Sequence, residues 1–205
     1  MEVIFFLVIL IFSIIIHEIA HGYMAEWFGD PTARLAGRLT LNPVPHIDPL
    51  GSIILPALML FGSGGSFAFG WAKPVPYNPY NLRNFKWGTV FVGIAGVAAN
   101  LILAIIFGLM LRFSAELGIT DGPFAQMLAT IVFLNIVLAV FNMIPFPPLD
   151  GAKVLFAFLP ARFQYIHDYL EQNWLIFIVF VIFFAKYIIW PISSLLFGVI
   201  TGVGL

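Results

Sequence analysis

Near the start of the chain, two histidines and a glutamate stand as His17-Glu18-Ile19-Ala20-His21. Four residues make close to one helical turn, so on a helix both imidazoles leave from one face and can share one metal ion. Glu18, beside the first histidine, can reach a water that such an ion activates. In a 205-residue chain with 4 histidines, a random match to this spacing has a probability of about 0.2%. A catalytic zinc site normally takes three protein ligands and leaves one position open. The best candidate for the third is Asp150, in Pro147-Pro148-Leu149-Asp150-Gly151; its alternative role is to cap the helix that follows. Asn142, eight residues earlier, is placed to donate to an oxyanion or hold a substrate backbone, or else to make a packing hydrogen bond. Asn100 and Asn135 read as packing residues. His46 and Asp48 could bind a second ion or gate access, but read as a solvated turn, and His167 and Asp168 read as surface.

The elements that must position these groups belong in a bilayer. Apolar residues make up 61% of the chain and charged residues 9%, with mean hydropathy +1.04. Soluble domains carry about 25% charged residues, so this is expected to be an all-α polytopic membrane protein in a single domain, 1–205. Net charge −1 with no basic stripe excludes a nucleic-acid partner. The absence of cysteine excludes disulfides and thiolate chemistry. Span A covers 3–27. It lacks a basic leader and is interrupted by His17, Glu18 and His21, so a retained span is expected rather than a cleaved signal. Residues 28–86 form cytoplasmic-side loops. Within them, apolar segment B, 50–61, reaches under ~20 Å, short of a ~30 Å hydrocarbon core, and reads as re-entrant. Residues 66–77 read as extended, since Pro74 and Pro76 bias their neighbours away from helix. Span C covers 87–111 and is rich in glycine and alanine, which let membrane helices approach closely. Span D covers 124–146 and is broken by the prolines of the 147–151 motif. Span E covers 174–199, with Lys186 inside it and a kink or end near Pro191.

Basic residues fix the orientation. Arg34, Arg38, Lys73, Arg83 and Lys86 lie between A and C, and Lys153 and Arg162 lie beyond D, while the C–D loop carries Glu116 and Asp121. If B does not cross, all these basic loops fall on one side, expected to be cytoplasmic. His17 lies fourteen residues after Val3, or ~21 Å along a helix, which puts the histidines in the cytoplasmic part of the core. Span D returns Asp150 to that same side.

HEIAHG in span A, AGVAAN in span C and FNMIPFPPLDG in span D together resemble the site-2 protease family of intramembrane zinc metalloproteases, over about residues 10–160. The resemblance is to its compact prokaryotic type without a PDZ or CBS domain. It implies a three-helix catalytic core (spans A, C and D) plus a C-terminal span, one Zn2+ held by His17, His21 and Asp150, Glu18 as catalytic base and Asn142 as an active-site polar group. It also implies a transmembrane protein as substrate, a prokaryotic cell membrane as location, and a substrate-guiding role for the extended element. Segment C departs from many relatives in reading Ala95-Gly96-Val97 where they have a proline after the glycine. Two rivals use the same ligands: a pseudoprotease that binds membrane segments without cutting them, and a divalent-metal transporter. A transporter more often shows repeat symmetry, and no repeat is visible. Oligomeric state is not legible.

Overall fold

The computed structural model describes residues 2–62, 64, 70–119, 122–173, 176, 180 and 186–203. Residues 66–69 of the expected extended element and most of 174–185 of span E lie outside the described residues. Among the described residues the chain is helical, with no strand. The helices are α1 (Glu2–Trp27), α2 (Thr32–Leu35), α3 (Leu55–Gly62), α4 (Phe85–Arg112), α5 (Pro123–Asn142), α6 (Asp150–Phe158), α7 (Gln164–Gln172) and α8 (Lys186–Thr201). Three of them, α1, α4 and α5, are long and apolar enough to cross a membrane. At ~1.5 Å per residue they reach about 30 to 42 Å. Many of their residues are β-branched, yet in lipid a helix satisfies every backbone group within its own segment.

Boundaries follow local chemistry. Asn84 caps α4 by accepting from the Trp87 N–H at 3.0 Å. Pro123 opens α5, where no N–H is needed. Helix α5 stops at Asn142, short of the 146 expected for span D, because Pro145 lacks an N–H and its ring clashes with the preceding turn. Pro191 does not end the last helix, which continues to Thr201.

Helix α4 is the hub: α1, α5, α6 and α8 all pack on it. Its buried face is built from Gly88, Val92, Gly93, Gly96, Asn100 and Ala104. Toward one end, Ala104 joins Val132, Ile136 and Phe197 in a core shared by α4, α5 and α8. Toward the other, Val92 packs with Ala25 and Leu82. On α1, Ser13, Ile15, His17, Ile19 and His21 are buried, whereas Val3, Ile4 and Leu7 are exposed as a lipid-facing surface would be.

The 28–84 region is a set of loops tied back on themselves. Asp48 caps the π-helical turn Pro49–Ile54, accepting from the Leu50 and Gly51 N–H groups at 2.9 Å each. That turn runs into α3, which buries none of its residues. The chain then returns to where it left: Trp71 N–H donates to Gly51 O at 3.1 Å, and the Ser52 hydroxyl donates to Trp71 O at 2.8 Å. Beyond Trp71 the chain runs without regular structure to Asn78. Lys73 is held on both sides, its N–H donating to His46 O at 2.9 Å and its carbonyl accepting from the Arg38 guanidinium at 2.7 Å. Asp30, fully buried, accepts from the Thr32 N–H and hydroxyl, the Asn78 N–H and the Asn81 amide. That carboxylate staples the end of α1 to the approach of α4.

Candidate active site

His17 and His21 leave α1 one turn apart, on the face packed against α4. Their Nε2 atoms lie 3.0 Å from each other, and each lies 3.0 Å from Asp150 Oδ2, at the start of α6. All three residues are buried. The three atoms therefore form a nearly equilateral triangle. Ligands at ~2.0–2.1 Å from a tetrahedral zinc stand ~3.3 Å apart, so the triangle is only about 0.3 Å tighter than the ion requires.

The far sides of the rings decide what the near sides can do. His21 Nδ1 lies 2.6 Å from Val92 O, which can only accept, so Nδ1 carries a proton and the neutral ring keeps its lone pair on Nε2. His17 Nδ1 lies 3.1 Å from Asn100 Oδ1, which fixes the same tautomer. Two imidazole lone pairs and a carboxylate oxygen thus converge with no proton to share, an arrangement that repels unless a cation completes it. The donor set, buried and neutral-plus-anionic, fits a divalent metal with nitrogen and oxygen preference. Gly96 makes the approach possible: a Cβ there would lie 2.6 Å from Nε2 and Cε1 of His17 and from Nε2 of His21.

Asp150 does not cap α6. Leu149 holds the cap position with no side-chain bond, and Asp150 turns inward in the first helical turn. Its second oxygen, Oδ1, accepts from Lys153 Nζ at 2.8 Å. Glu18 does not join the triangle; its Oε2 accepts from the Val75 N–H at 2.8 Å. Asn142 is half-buried at the end of α5, its amide donating to Leu138 O of its own helix at 2.9 Å; among the described residues it makes no hydrogen bond to the triangle.

A relative described as "Putative zinc metalloprotease YwhC", from Bacillus subtilis, is 36% identical over 199 residues, spanning 93% of this chain and 86% of that protein. A family model for peptidase family M50 matches residues 118–185. The chain belongs to peptidase family M50, the site-2 proteases. A second relative, "Putative zinc metalloprotease Rip2" of Mycolicibacterium smegmatis, is 33% identical over 144 residues, or 70% of this chain and 52% of that protein. A "Zinc metalloprotease" of Methanocaldococcus jannaschii is 25% identical over 159 residues, 78% of this chain and 35% of that protein. No solved structure matches the chain. With three apolar helices and this family, the protein is a multi-pass membrane peptidase-family member.

Several residues around the triangle escape sequence reasoning. Asn100, read as a packing residue, is fully buried against His17. An asparagine in the middle of an apolar span one glycine-rich turn after Gly96 is the signal that could have found it. The Val92 carbonyl carries no sequence signal at all. The His46–Asp48 stretch is not a solvated turn: His46 is buried, its ring Nε2–H donating to Thr40 O at 3.0 Å, and its carbonyl holds Lys73. His167 sits with Asp168 and Glu171 on α7, the two carboxylates exposed, away from the triangle.

Proposed function

We propose that this chain is an intramembrane zinc endopeptidase that hydrolyses peptide bonds within the transmembrane segments of other membrane proteins. His17, His21 and Asp150 hold one Zn2+, and Glu18 is the general base. One observation carries the reading: three lone-pair-bearing atoms converge at 3.0 Å while both imidazole N–H groups are committed elsewhere. The names of the relatives, zinc metalloproteases, agree with that donor set.

Zinc, when bound, polarises the scissile carbonyl and makes water nucleophilic at neutral pH. The chain's own residues do the rest. Val75 N–H, bonded to Glu18 Oε2, orients the carboxylate and leaves Oε1 to take the proton of the attacking water and return it to the leaving amine. The Asn142 amide exchanges its bond to Leu138 for the substrate backbone. A substrate helix hides its carbonyls in its own hydrogen bonds, so it must unwind before cleavage, and the cost is least where Gly or Pro weakens it.

Topology supports the same reading. The excursion from Gly51 to Trp71 starts and finishes at one hydrogen-bonded point, as a re-entrant segment would. With 49–62 re-entering, the basic residues of 28–86 fall on one side, assigned to the cytoplasmic face of a prokaryotic cell membrane. The test is reconstitution in liposomes with single-span substrates. Glu18→Gln removes no metal ligand, so it should retain zinc while cleavage falls by ~10²–10⁴-fold. Cleavage by Glu18→Gln at the wild-type rate would refute the assignment of the base.

A further inference from the structure

Lys153 has a place in the site that the proposed reaction does not use. It stands one turn beyond Asp150 on α6, half-buried, and its ammonium donates to Asp150 Oδ1 at 2.8 Å. The opposite oxygen, Oδ2, is the one 3.0 Å from both imidazoles. The same ammonium lies 5.8 Å from the centroid of the Tyr77 ring. Tyr77, in turn, packs against the Ala25, Leu82 and Val92 cluster, between α1 and α4. The lysine is therefore held from two directions, by a carboxylate on one element and an aromatic face on another. That second hold matters because a free lysine side chain has many rotamers and fixes nothing by itself.

A carboxylate with both oxygens free can turn to present both to one ion, which would fill the position a catalytic metal keeps open. Among the described residues, its two remaining partners, His17 and His21, both sit at Oδ2 and do not resist that turn. From this geometry, and resting on the metal site proposed above, we infer that Lys153 is a positioning residue that locks Asp150 as a one-oxygen ligand, with Tyr77 holding the lysine in place. It touches neither substrate nor metal. It acts on the direction in which Oδ2 points and on the coordination position left open beside it.

The test uses purified full-length protein in detergent, stripped of metal and reloaded with Co2+, whose visible bands weaken as coordination rises from four to five. Wild type should bind one Co2+ with intense four-coordinate bands. Lys153→Met should bind 10- to 100-fold more weakly in chelator competition, as loss of a ligand's hydrogen-bond partner typically does, with weakened bands. Lys153→Arg, which still donates to Oδ1, should restore both within about threefold. Lys153→Leu, which also donates nothing to Oδ1 and suits a helix, carries the same expectation as Lys153→Met if that variant does not accumulate. With liposome substrates, Lys153→Met should lower kcat and leave KM unchanged. If Lys153→Met and Lys153→Leu bind Co2+ as tightly as wild type, or more tightly, with unchanged bands, the inference is overturned while the metal site stands. A wild-type protein that binds no Co2+ overturns both.

Discussion

Gly96→Ala is the most local perturbation of the site that leaves every proposed chemical group in place. The new methyl would sit 2.6 Å from three atoms, two of them the Nε2 donors, whereas ordinary contact begins near 3.4 Å. Relief therefore takes about 0.8 Å or more of displacement. The rings cannot give that much freely. Each is anchored through Nδ1, to Asn100 Oδ1 at 3.1 Å and to Val92 O at 2.6 Å. Moving the rings breaks one anchor, at about 0.5–1.5 kcal/mol, and moving α4 instead carries both anchors with it. Either way the triangle opens. Metal affinity should fall 10- to 100-fold, the range seen when a ligand's outer partner is lost. Cleavage should fall by up to ~10²-fold even at saturating zinc, because ~1 Å of misplacement has that effect on a positioned site.

The assay is chelator competition for affinity, with liposome cleavage at saturating zinc. Gly108→Ala is the control. Its Cβ would meet the Ile200 side chain, in the α4–α8 packing away from the histidines, so it should lower the melting temperature and leave metal affinity alone. Wild-type affinity and wild-type kcat in Gly96→Ala would refute the argument that this glycine sets the spacing of the metal donors.

Asn100→Ala and Asn142→Ala should separate metal from substrate. The first should weaken zinc binding at least 10-fold by freeing the His17 ring, and the second should keep full metal content while kcat falls. Cysteines placed at Gly64 or Arg83 in this cysteine-free chain should label from the cytoplasmic side; labelling from outside would show that 49–62 crosses. Burial would raise the Asp30 carboxyl, but hydrogen bonds from Thr32, Asn81 and the Asn78 N–H prevail and lower its pKa. Its stabilisation is therefore fully present above the unfolded value near ~4 and lost as pH falls through the lower folded value. Asp30→Asn, which turns a donor toward donors, should cost about 2–3 kcal/mol at pH 7 and flatten the loss of thermal stability below pH 4.

What the sequence revealed of this protein depended on whether a signal was carried by side chains or by backbone. The helices α1, α4 and α5 were legible because long apolar runs have one stable form in lipid. The grouping of His17, His21 and Asp150 was legible because ionisable groups within apolar segments are costly and so stand out against 61% apolar residues. Asn100 and Asn142 were both visible as polar residues in spans. Their ranking came out differently in space: Asn100 reaches a histidine and Asn142 reaches its own helix. Spacing along one helix could not decide this, since the outcome turns on how far α4 rotates against α1. The 28–84 region was least legible. Its order comes from carbonyls and N–H groups of Gly51, Trp71, His46 and Lys73, which every residue possesses.

That backbone ordering bears on how a peptide reaches the site. Trp71 and Lys73 spend their N–H and carbonyl groups on Gly51, Ser52, His46 and Arg38, and the Val75 N–H goes to Glu18. The bonded residues alternate along this stretch, at 71, 73 and 75. Between them stand Ala72, Pro74 and Pro76, and two of those three have no N–H to give. A peptide lying there would find three carbonyl acceptors and a single donor. On the function proposed above, it would bring its own N–H groups to these carbonyls and leave its own carbonyls for the His17–His21–Asp150 triangle and the Asn142 amide. An unwound segment would then be oriented without competition for the carbonyl to be cut.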